Sequence, residues 1–221
     1  MKKVEIIPTI VPDSFSDLVE KQLKLAQFTS AIHIDITDGV FAPDTTWLPT
    51  AEDSLPDAAA IFYESHLMVS EPQEIGTMFA KAGARRVIGH VEAFGDASAV
   101  EKAFNAWHSA GATEVGLGIL FDTPLLAIEP YVSMCDSVLI MTIATIGKQG
   151  IPFDPRGIER VREMHKRFPD LTIAVDGGVS EENIAELVKA GASRLSVGSA
   201  ISRAHEPRAV YNRLLELANT V

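Results

Sequence analysis

The sequence predicts a single (β/α)8 barrel (TIM-barrel type) over residues 1–221, and three observations lead to that fold. Short runs of β-branched residues alternate with longer runs of helical period from one end of the chain to the other. There are eight strand candidates, the number that closes a barrel of this class. The tripeptide Ala-Gly-Ala recurs at 82–84, 110–112 and 190–192, each time between a helical run and a strand, where its glycine can end the helix.

The strand candidates are short runs rich in valine and isoleucine. In chain order they are 4–8, 31–36, 60–69, 86–92, 114–120, 137–143, 171–176 and 194–197. The runs between them repeat apolar residues at i, i+3, i+4 and i+7, so they predict helices with one buried face. Four of these patterns begin at Phe15, Ile75, Val100 and Ile184. The stretch 42–57 contains three prolines and is irregular, and we expect it to cover an end of the barrel.

A doubly wound open sheet is the main alternative to the barrel. A dinucleotide-binding sheet of that kind carries a Gly-x-Gly-x-x-Gly turn after its first strand, and the sequence has none there. We therefore favour the barrel. In such barrels the reacting groups lie at the carboxyl ends of the strands and on the loops that follow, so polar residues at those positions are the candidates for chemistry.

Composition restricts the partners and the compartment of the protein. Lysine and arginine number 19 and aspartate and glutamate 30, which gives a net charge of −11 without any basic block. We therefore expect neither nucleic acid nor a membrane as a partner. The single cysteine, Cys135, allows no internal disulfide, is expected to be inert, and suits a reducing cytosol. The charges within 1–5 indicate no signal peptide, so we expect a cytoplasmic protein.

Polar side chains end three of the predicted strands. Alternation along the second strand directs His33 and Asp35 into the barrel and its isoleucines toward the helices. The third strand carries His66 in an equivalent place, and the seventh ends at Asp176. Two imidazoles and two carboxylates would form a divalent metal site suited to zinc, iron, cobalt or manganese. The alternative interpretation is four unconnected polar groups in the core.

Two loops predict a phosphate site. Gly177-Gly178 follows the seventh strand and Gly198-Ser199 follows the eighth, the two positions at which these barrels bind phosphate through backbone N–H groups. The alternative is that the glycines serve only tight turns. Met68 and Met141, at two other strand ends, either fill the core or contact the substrate. His90 is either a further site residue or, as we favour, a buried, hydrogen-bonded histidine.

Seven motifs in register resemble the ribulose-phosphate 3-epimerase family, in order from Ile7 to Ile201. They are Pro8-Thr9-Ile10, His33-x-Asp35-x-x-Asp38-Gly39-x-Phe41-x-Pro43, His66-Leu67-Met68-Val69, His90-Val91-Glu92-Ala93, Met141-Thr142, Val175-Asp176-Gly177-Gly178 and Val197-Gly198-Ser199-Ala200-Ile201. The resemblance covers nearly the whole chain. It implies a ribulose-phosphate-binding barrel, an isomerase of pentose phosphate metabolism, and a homo-oligomer.

The resemblance also implies a reaction and the residues that perform it. One divalent ion would be held by His33, Asp35, His66 and Asp176, with the two aspartates as acid and base. They would invert C3 of a ketose phosphate, converting D-ribulose 5-phosphate to D-xylulose 5-phosphate through a cis-enediolate. One carboxyl group would remove the C3 proton and the other would return a proton to the opposite face, while the ion stabilises the negative charge.

The sequence departs from the family pattern after the sixth strand. The family's Asn-Pro-Gly-Phe-Gly-Gly-Gln loop is replaced by 143–153, which lacks the glycine-rich lid and is about one residue longer. Lys148 is a candidate for holding the substrate phosphate, with a solvated loop lysine as the alternative. Thr37 replaces a methionine and makes the site more polar. The substrate-binding candidates are Thr9, His66, Met68, Met141, Gly147, Lys148, Gly177, Gly178, Gly198 and Ser199.

Other functions stay open at this point. The substrate could be a six-carbon ketose phosphate, or the chain could be a sugar-phosphate binder without catalysis. The intact Asp35 and Asp176 favour an enzyme. A decarboxylase of the orotidine-phosphate type has the same general plan, but it requires a lysine where Thr37 stands, and we rank it low.

Overall fold

A computed structural model of the protein describes residues 4–220 as a closed barrel of eight parallel strands. The strands are β1 (Glu5–Ile10), β2 (Ala31–Thr37), β3 (Phe62–Met68), β4 (Arg86–His90), β5 (Glu114–Ile119), β6 (Ser137–Met141), β7 (Thr172–Asp176) and β8 (Arg194–Val197). Each strand pairs with the next along the chain, and β8 pairs with β1. The predicted (β/α)8 barrel is therefore confirmed, and the alternative of a doubly wound open sheet is wrong. Residues 1–3, part of the N-terminal segment discussed above, lie outside the described residues.

Seven α-helices surround the barrel within the described residues. They are α1 (Phe15–Leu25), α2 (Pro72–Ala82), α3 (Ala97–Ala110), α4 (Arg156–Arg167), α5 (Ile184–Ala190), α6 (Ser199–Ser202) and α7 (Pro207–Asn219). Their apolar stripes are buried against the strands, as Leu18, Phe79 and Trp107 show. The 3-10 turns Leu125–Ala127 and Glu129–Met134 stand where a helix would follow β5. The (β/α)8 pattern thus persists although one of its helices is reduced to short turns.

The irregular stretch 42–57 takes the place of a helix after β2. Its Trp47 ring lies 5.5 Å from the ring of Phe15 in α1 and 6.0 Å from that of Phe79 in α2. Its buried Ala42 packs against the residues that line the barrel mouth. The stretch therefore runs along the side of the barrel between two helices, and only its beginning lies at the end that we expected it to cover.

The three Ala-Gly-Ala tripeptides mark helix ends. Gly83, Gly111 and Gly191 follow the last residues of α2, α3 and α5 and have φ angles of 112°, 120° and 116°. Glycine adopts this backbone region without the steric penalty that a Cβ atom brings. The repeat thus ends each helix where the chain turns back into the barrel.

Alternation along β2 separates two environments. Ile32, Ile34 and Ile36 are buried in the outer core between strands and helices. His33 and Asp35 occupy the intervening positions, with side chains inside the barrel. The fold therefore presents the polar side chains of β2 to those of β3 and β7.

Two features of the described chain bear on its environment. No helix within residues 4–220 is both long and apolar enough to cross a membrane. Cys135 lies just before β6, where its Sγ donates a hydrogen bond to the Tyr131 carbonyl at 3.3 Å. Burial raises the pKa of Cys135 to about 12. The thiol therefore stays protonated at neutral pH, which makes it a poor nucleophile.

The packing of α2 on α3 yields a test of the fold. A Cβ atom at Gly76 would overlap the buried indole of Trp107. We expect Gly76→Ala to lower the free energy of unfolding by about 1–3 kcal/mol, because overpacking outweighs the better helix propensity of alanine. Urea unfolding followed by circular dichroism measures it. The matched control is Gly95→Ala, because a Cβ atom added at Gly95 would have no atom within 4 Å other than those of its chain neighbours. Equal effects of the two substitutions on the free energy of unfolding would contradict the packing argument.

Candidate active site

The carboxyl ends of β2, β3 and β7 bring four predicted side chains together. One nitrogen or oxygen from each of His33, Asp35, His66 and Asp176 lies within 4.8 Å of the other three. Strand register brings this about in part, since Asp35 of β2 is the direct partner of His66 in β3. All four residues are buried. The four groups therefore form one cluster at the barrel mouth, and are not separate polar groups in the core.

His33 uses both of its ring nitrogens. Its Nε2 lies 3.0 Å from Oδ1 of Asp35, and its Nδ1 lies 2.5 Å from Oε1 of Glu64. Burial lowers the pKa of His33, but the hydrogen bonds to Asp35 and Glu64 outweigh burial and raise the pKa well above 6.5. These hydrogen bonds therefore favour the protonated ring of His33 when no cation is bound. A cation at Nε2 would replace the proton there.

His66 is held by a chain of hydrogen bonds on its far side. Its Nδ1 lies 2.9 Å from Oδ1 of Asp35, and its Nε2 lies 2.8 Å from Nε2 of His90. Burial lowers the pKa of His90, so that ring is neutral, and its Nδ1 lies 3.3 Å from Oε2 of Glu92. If His90 donates to Glu92, its Nε2 accepts the Nε2–H of His66. Nδ1 of His66 is then the atom that faces the two aspartates.

The two carboxylates have pKa values shifted in opposite directions. Burial and the nearby charge of Asp35 raise the pKa of Asp176 to about 6. Burial also raises the pKa of Asp35, but hydrogen bonds from His33 and His66 outweigh it and hold the pKa below its usual value. Asp176 is thus the carboxylate whose ionised form is disfavoured. A divalent cation would stabilise that ionised form, and the set of two nitrogens and two oxygens fits such an ion.

A pocket opens above this cluster at the barrel mouth. Asp35 and Asp176 form part of its floor, and His66 lies beneath it, fully buried. Nine of the ten predicted substrate-binding residues line the pocket: Thr9, Met68, Met141, Gly147, Lys148, Gly177, Gly178, Gly198 and Ser199. The structure therefore brings the predicted substrate residues and the predicted metal ligands to one place.

The loops after β7 and β8 pack closely against 143–153. Gly177 and Gly178 have φ angles of 116° and 66°, and a Cβ atom at Gly178 would lie 2.6 Å from the backbone nitrogen of Phe153. A Cβ atom at Gly198 would lie 3.0 Å from Nε2 of Gln149. Gly177 and Gly178 thus serve turn geometry and close packing at once, and Gly198 leaves room for Gln149. The backbone of both loops can thus approach a ligand in the pocket.

The replacement loop covers the mouth although it lacks the glycine-rich lid. Gln149 spans the gap between β1 and α6: its Nε2 donates to the carbonyl of Thr9 at 3.3 Å, and its Oε1 accepts from Ser202 at 3.3 Å. Lys148 is half-exposed, with Nζ 3.5 Å from Asp44. The Thr9 hydroxyl is buried without a hydrogen-bond partner among residues 4–220. The pocket therefore offers a ligand the hydroxyl of Thr9 and the ammonium group of Lys148.

Glu64 and Gln149 were not predicted from the sequence. Burial raises the pKa of Glu64, but its hydrogen bond to His33 and the charge of Arg86 hold the pKa well below its usual range. Alternation in β3 was the available signal, because Glu64 lies two residues before His66 and shares its face. Nothing comparable indicates Gln149, which lies in an irregular loop.

Known proteins match this chain along nearly its whole length. Residues 5–202 match the model of the ribulose-phosphate 3 epimerase family. The chain belongs to this family. The ribulose-phosphate 3-epimerase of Schizosaccharomyces pombe is 30% identical over 218 residues, covering 97% of this chain and 93% of that protein. The ribulose-phosphate 3-epimerase of Mycobacterium leprae is 32% identical over 224 residues, covering 98% and 96%. The resemblance stated from the motifs is confirmed, and the chain is a carbohydrate epimerase by family.

Solved structures agree with the fold. A 3-hexulose-6-phosphate synthase from Salmonella typhimurium matches with a TM-score of 0.70 and 15% identity, covering 100% of this chain and 99% of that one. At this identity the likeness shows the barrel alone.

The epimerase family acts on small phosphorylated sugars, and the buried cluster of this member is suited to a metal ion.

The raised pKa of Asp176 gives a prediction about stability. Its pKa in the folded protein, about 6, exceeds its ordinary value of 3.8, so its contribution to stability is present at low pH and lost as pH rises through 6. In chelator-treated protein at pH 7.5 we expect Asp176→Asn to raise the free energy of unfolding by about 1–3 kcal/mol.

Urea unfolding at two pH values checks this prediction. The gain should vanish at pH 4, where the native carboxyl group is protonated. Added Zn²⁺ should stabilise the native protein more than the variant, because the variant lacks one ligand oxygen. A variant that is less stable than the native protein at pH 7.5 would contradict the burial and charge argument.

Proposed function

We propose that this member of the family is a metal-dependent 3-epimerase that interconverts D-ribulose 5-phosphate and D-xylulose 5-phosphate. One observation carries the proposal: Asp35 and Asp176, both buried, line a single pocket from β2 and β7. Two strands, β8 and β1, separate β2 from β7 around the barrel. Two carboxyl groups can therefore approach a bound sugar from different sides.

Inversion of C3 requires such a pair. A carbon beside a ketone loses its proton to a base on one face, and the configuration is inverted only if a proton returns from the opposite face. Asp35 and Asp176 supply the two groups, one as carboxylate and the other as carboxylic acid, and they exchange these states when the reaction runs backward. Asp35 is held for this role by His33 and His66, whose hydrogen bonds to it measure 3.0 and 2.9 Å.

A divalent ion would be held at the same place. His33 through Nε2, His66 through Nδ1 and one oxygen of each aspartate would be its ligands, a set that suits zinc, iron, manganese or cobalt. When bound, the ion supplies Lewis-acid stabilisation of negative charge on the substrate oxygens. The protein side chains do the remaining work, which is proton transfer by the aspartates and positioning of the sugar.

The rest of the pocket would position the substrate. Met68 and Met141 line it with apolar surface, which limits the access of water to the carboxylates. The free hydroxyl of Thr9 would bond a sugar hydroxyl. The phosphate would lie against the backbone of Gly177-Gly178 and Gly198-Ser199. This arrangement would fix C3 between the two aspartates.

Isotope exchange tests the proposed reaction. In heavy water the native protein with its metal should introduce deuterium at C3 of D-ribulose 5-phosphate, measured by NMR or mass spectrometry. Asp35→Asn and Asp176→Asn should each lower that rate by about 10³-fold, because each removes one proton-transfer group. Chelation should abolish exchange, and added divalent metal should restore it.

Controls separate the alternatives. Glu20→Gln alters an exposed carboxylate that pairs with Lys24 on α1, away from the pocket, and should leave exchange within about twofold of native. A native protein that binds the sugar phosphate without exchange would be a non-catalytic binder. Faster exchange with a six-carbon ketose phosphate would assign that substrate in place of ribulose 5-phosphate.

Lys148 is proposed to hold the substrate phosphate. Lys148→Ala should raise KM for D-ribulose 5-phosphate about tenfold with kcat unchanged, since one charged hydrogen bond is lost. Steady-state kinetics measures both constants. Lys189→Ala, an exposed lysine on α5, is the control. An unchanged KM in Lys148→Ala would show that Lys148 is a solvated loop residue.

A further inference from the structure

Charged side chains lie across the amino-terminal end of the barrel, below the candidate metal centre. They form an ion layer that consists of Glu5 of β1, Glu64 of β3, Arg86 of β4, Glu114 of β5 and Arg194 of β8. Arg86 donates to Glu64 and to Glu114 at 2.7 Å each, and Arg194 donates to Glu5 at 2.9 Å. The side chains of Glu64 and Arg86 are 0% and 4% exposed. Such charges are costly to bury unless each has a partner.

Strand register connects the ion layer to the metal centre. His33 is the direct partner of Glu64 across β2 and β3, and Glu64 is the direct partner of Arg86 across β3 and β4. The two oxygens of Glu64 divide between these neighbours. Oε1 lies 2.5 Å from Nδ1 of His33, and Oε2 accepts from Arg86. Glu64 is thus the group that joins a proposed metal ligand to the ion layer.

We propose that Glu64 is a positioning residue, which holds the His33 ring with Nε2 directed at the metal centre while Arg86 holds Glu64 from the other side. The inference rests on the proposed function, because it concerns the same metal centre. An ionised carboxylate only accepts hydrogen bonds, so Nδ1 of His33 must carry the hydrogen. Nε2 is then the nitrogen whose lone pair a metal can take. Carboxylates behind ligand histidines contribute to metal affinity in this way.

The geometry explains why an amide cannot replace Glu64. Both neighbours of its oxygens are donors, the Nδ1–H of His33 and the guanidinium of Arg86. A carboxylate accepts from both. A glutamine accepts through one atom only, so its NH2 group would face either His33 or Arg86, donor against donor. Glu64→Gln therefore disturbs the hydrogen bond that orients the His33 ring, with almost no change in side-chain volume.

Glu114 offers a matched control. It also bonds Arg86, at 2.7 Å, and lies 3.4 Å from Nη2 of Arg194. None of the hydrogen bonds within the described residues joins it to a proposed metal ligand. Glu114→Gln removes one negative charge from the same ion layer without touching His33.

Zinc titration of the full chain tests the inference. The metal-stripped protein is titrated with Zn²⁺ in competition with a chromophoric chelator. Glu64→Gln should raise the Kd for Zn²⁺ about 10–100-fold, and Glu114→Gln should leave it within about threefold of native. In the zinc-loaded native protein, the imidazole nitrogens of His33 should show the Nδ1–H tautomer by NMR, and Glu64→Gln should weaken or lose that signal.

The outcomes separate this inference from the proposed function. Equal Kd values for the native protein and Glu64→Gln would overturn the positioning role and leave the metal centre standing. Failure of the native protein to bind Zn²⁺ would contradict the metal centre, and the positioning role with it. If Glu64→Gln does not fold, Glu64→Asp keeps the charge but withdraws the carboxylate by one methylene. It should give an intermediate loss of affinity, and an unchanged Kd would overturn the inference.

Discussion

Two carboxylates buried close together on non-adjacent strands are the constraint on which the barrel mouth depends. Asp35 and Asp176 would each ionise readily in water, yet here they share one low-dielectric site. The ionised form of Asp35 is stabilised by hydrogen bonds from His33 and His66. Burial and repulsion by the charge of Asp35 raise the pKa of Asp176 to about 6. The site costs stability when no cation is bound. Under the proposed function, this lower stability is the cost of a site that would hold a divalent ion and an anionic substrate.

Much of the fold and the core of the site could be predicted because both follow local rules. The period of two in β2 separates His33 and Asp35 from the isoleucines, and it does so before any neighbouring strand is known. Glycine after a helical run predicts the turn into the next strand. Strand boundaries are less exact: the sequence predicts the fourth strand over 86–92, but β4 ends at His90, where the chain turns into the 3-10 helix Val91–Ala93.

The remaining parts of the site depend on contacts that one strand cannot reveal. Glu64 meets His33 only because of the β2–β3 register, and its contact with Arg86 requires the register of the next strand pair as well. Gln149 contacts Thr9 across 140 residues of sequence. Since an irregular loop has no period, its side chains cannot be placed before the barrel closes around them.

The ion layer has a consequence for how this sequence can change. His33, Glu64, Arg86 and Glu114 are successive register partners on four adjacent strands. A mutation that alters the charge of one of them removes a hydrogen-bond or ion-pair partner from its neighbours. Homologues that differ at Glu64 or Arg86 should therefore differ at both. All four positions should change together among homologues and should seldom change singly.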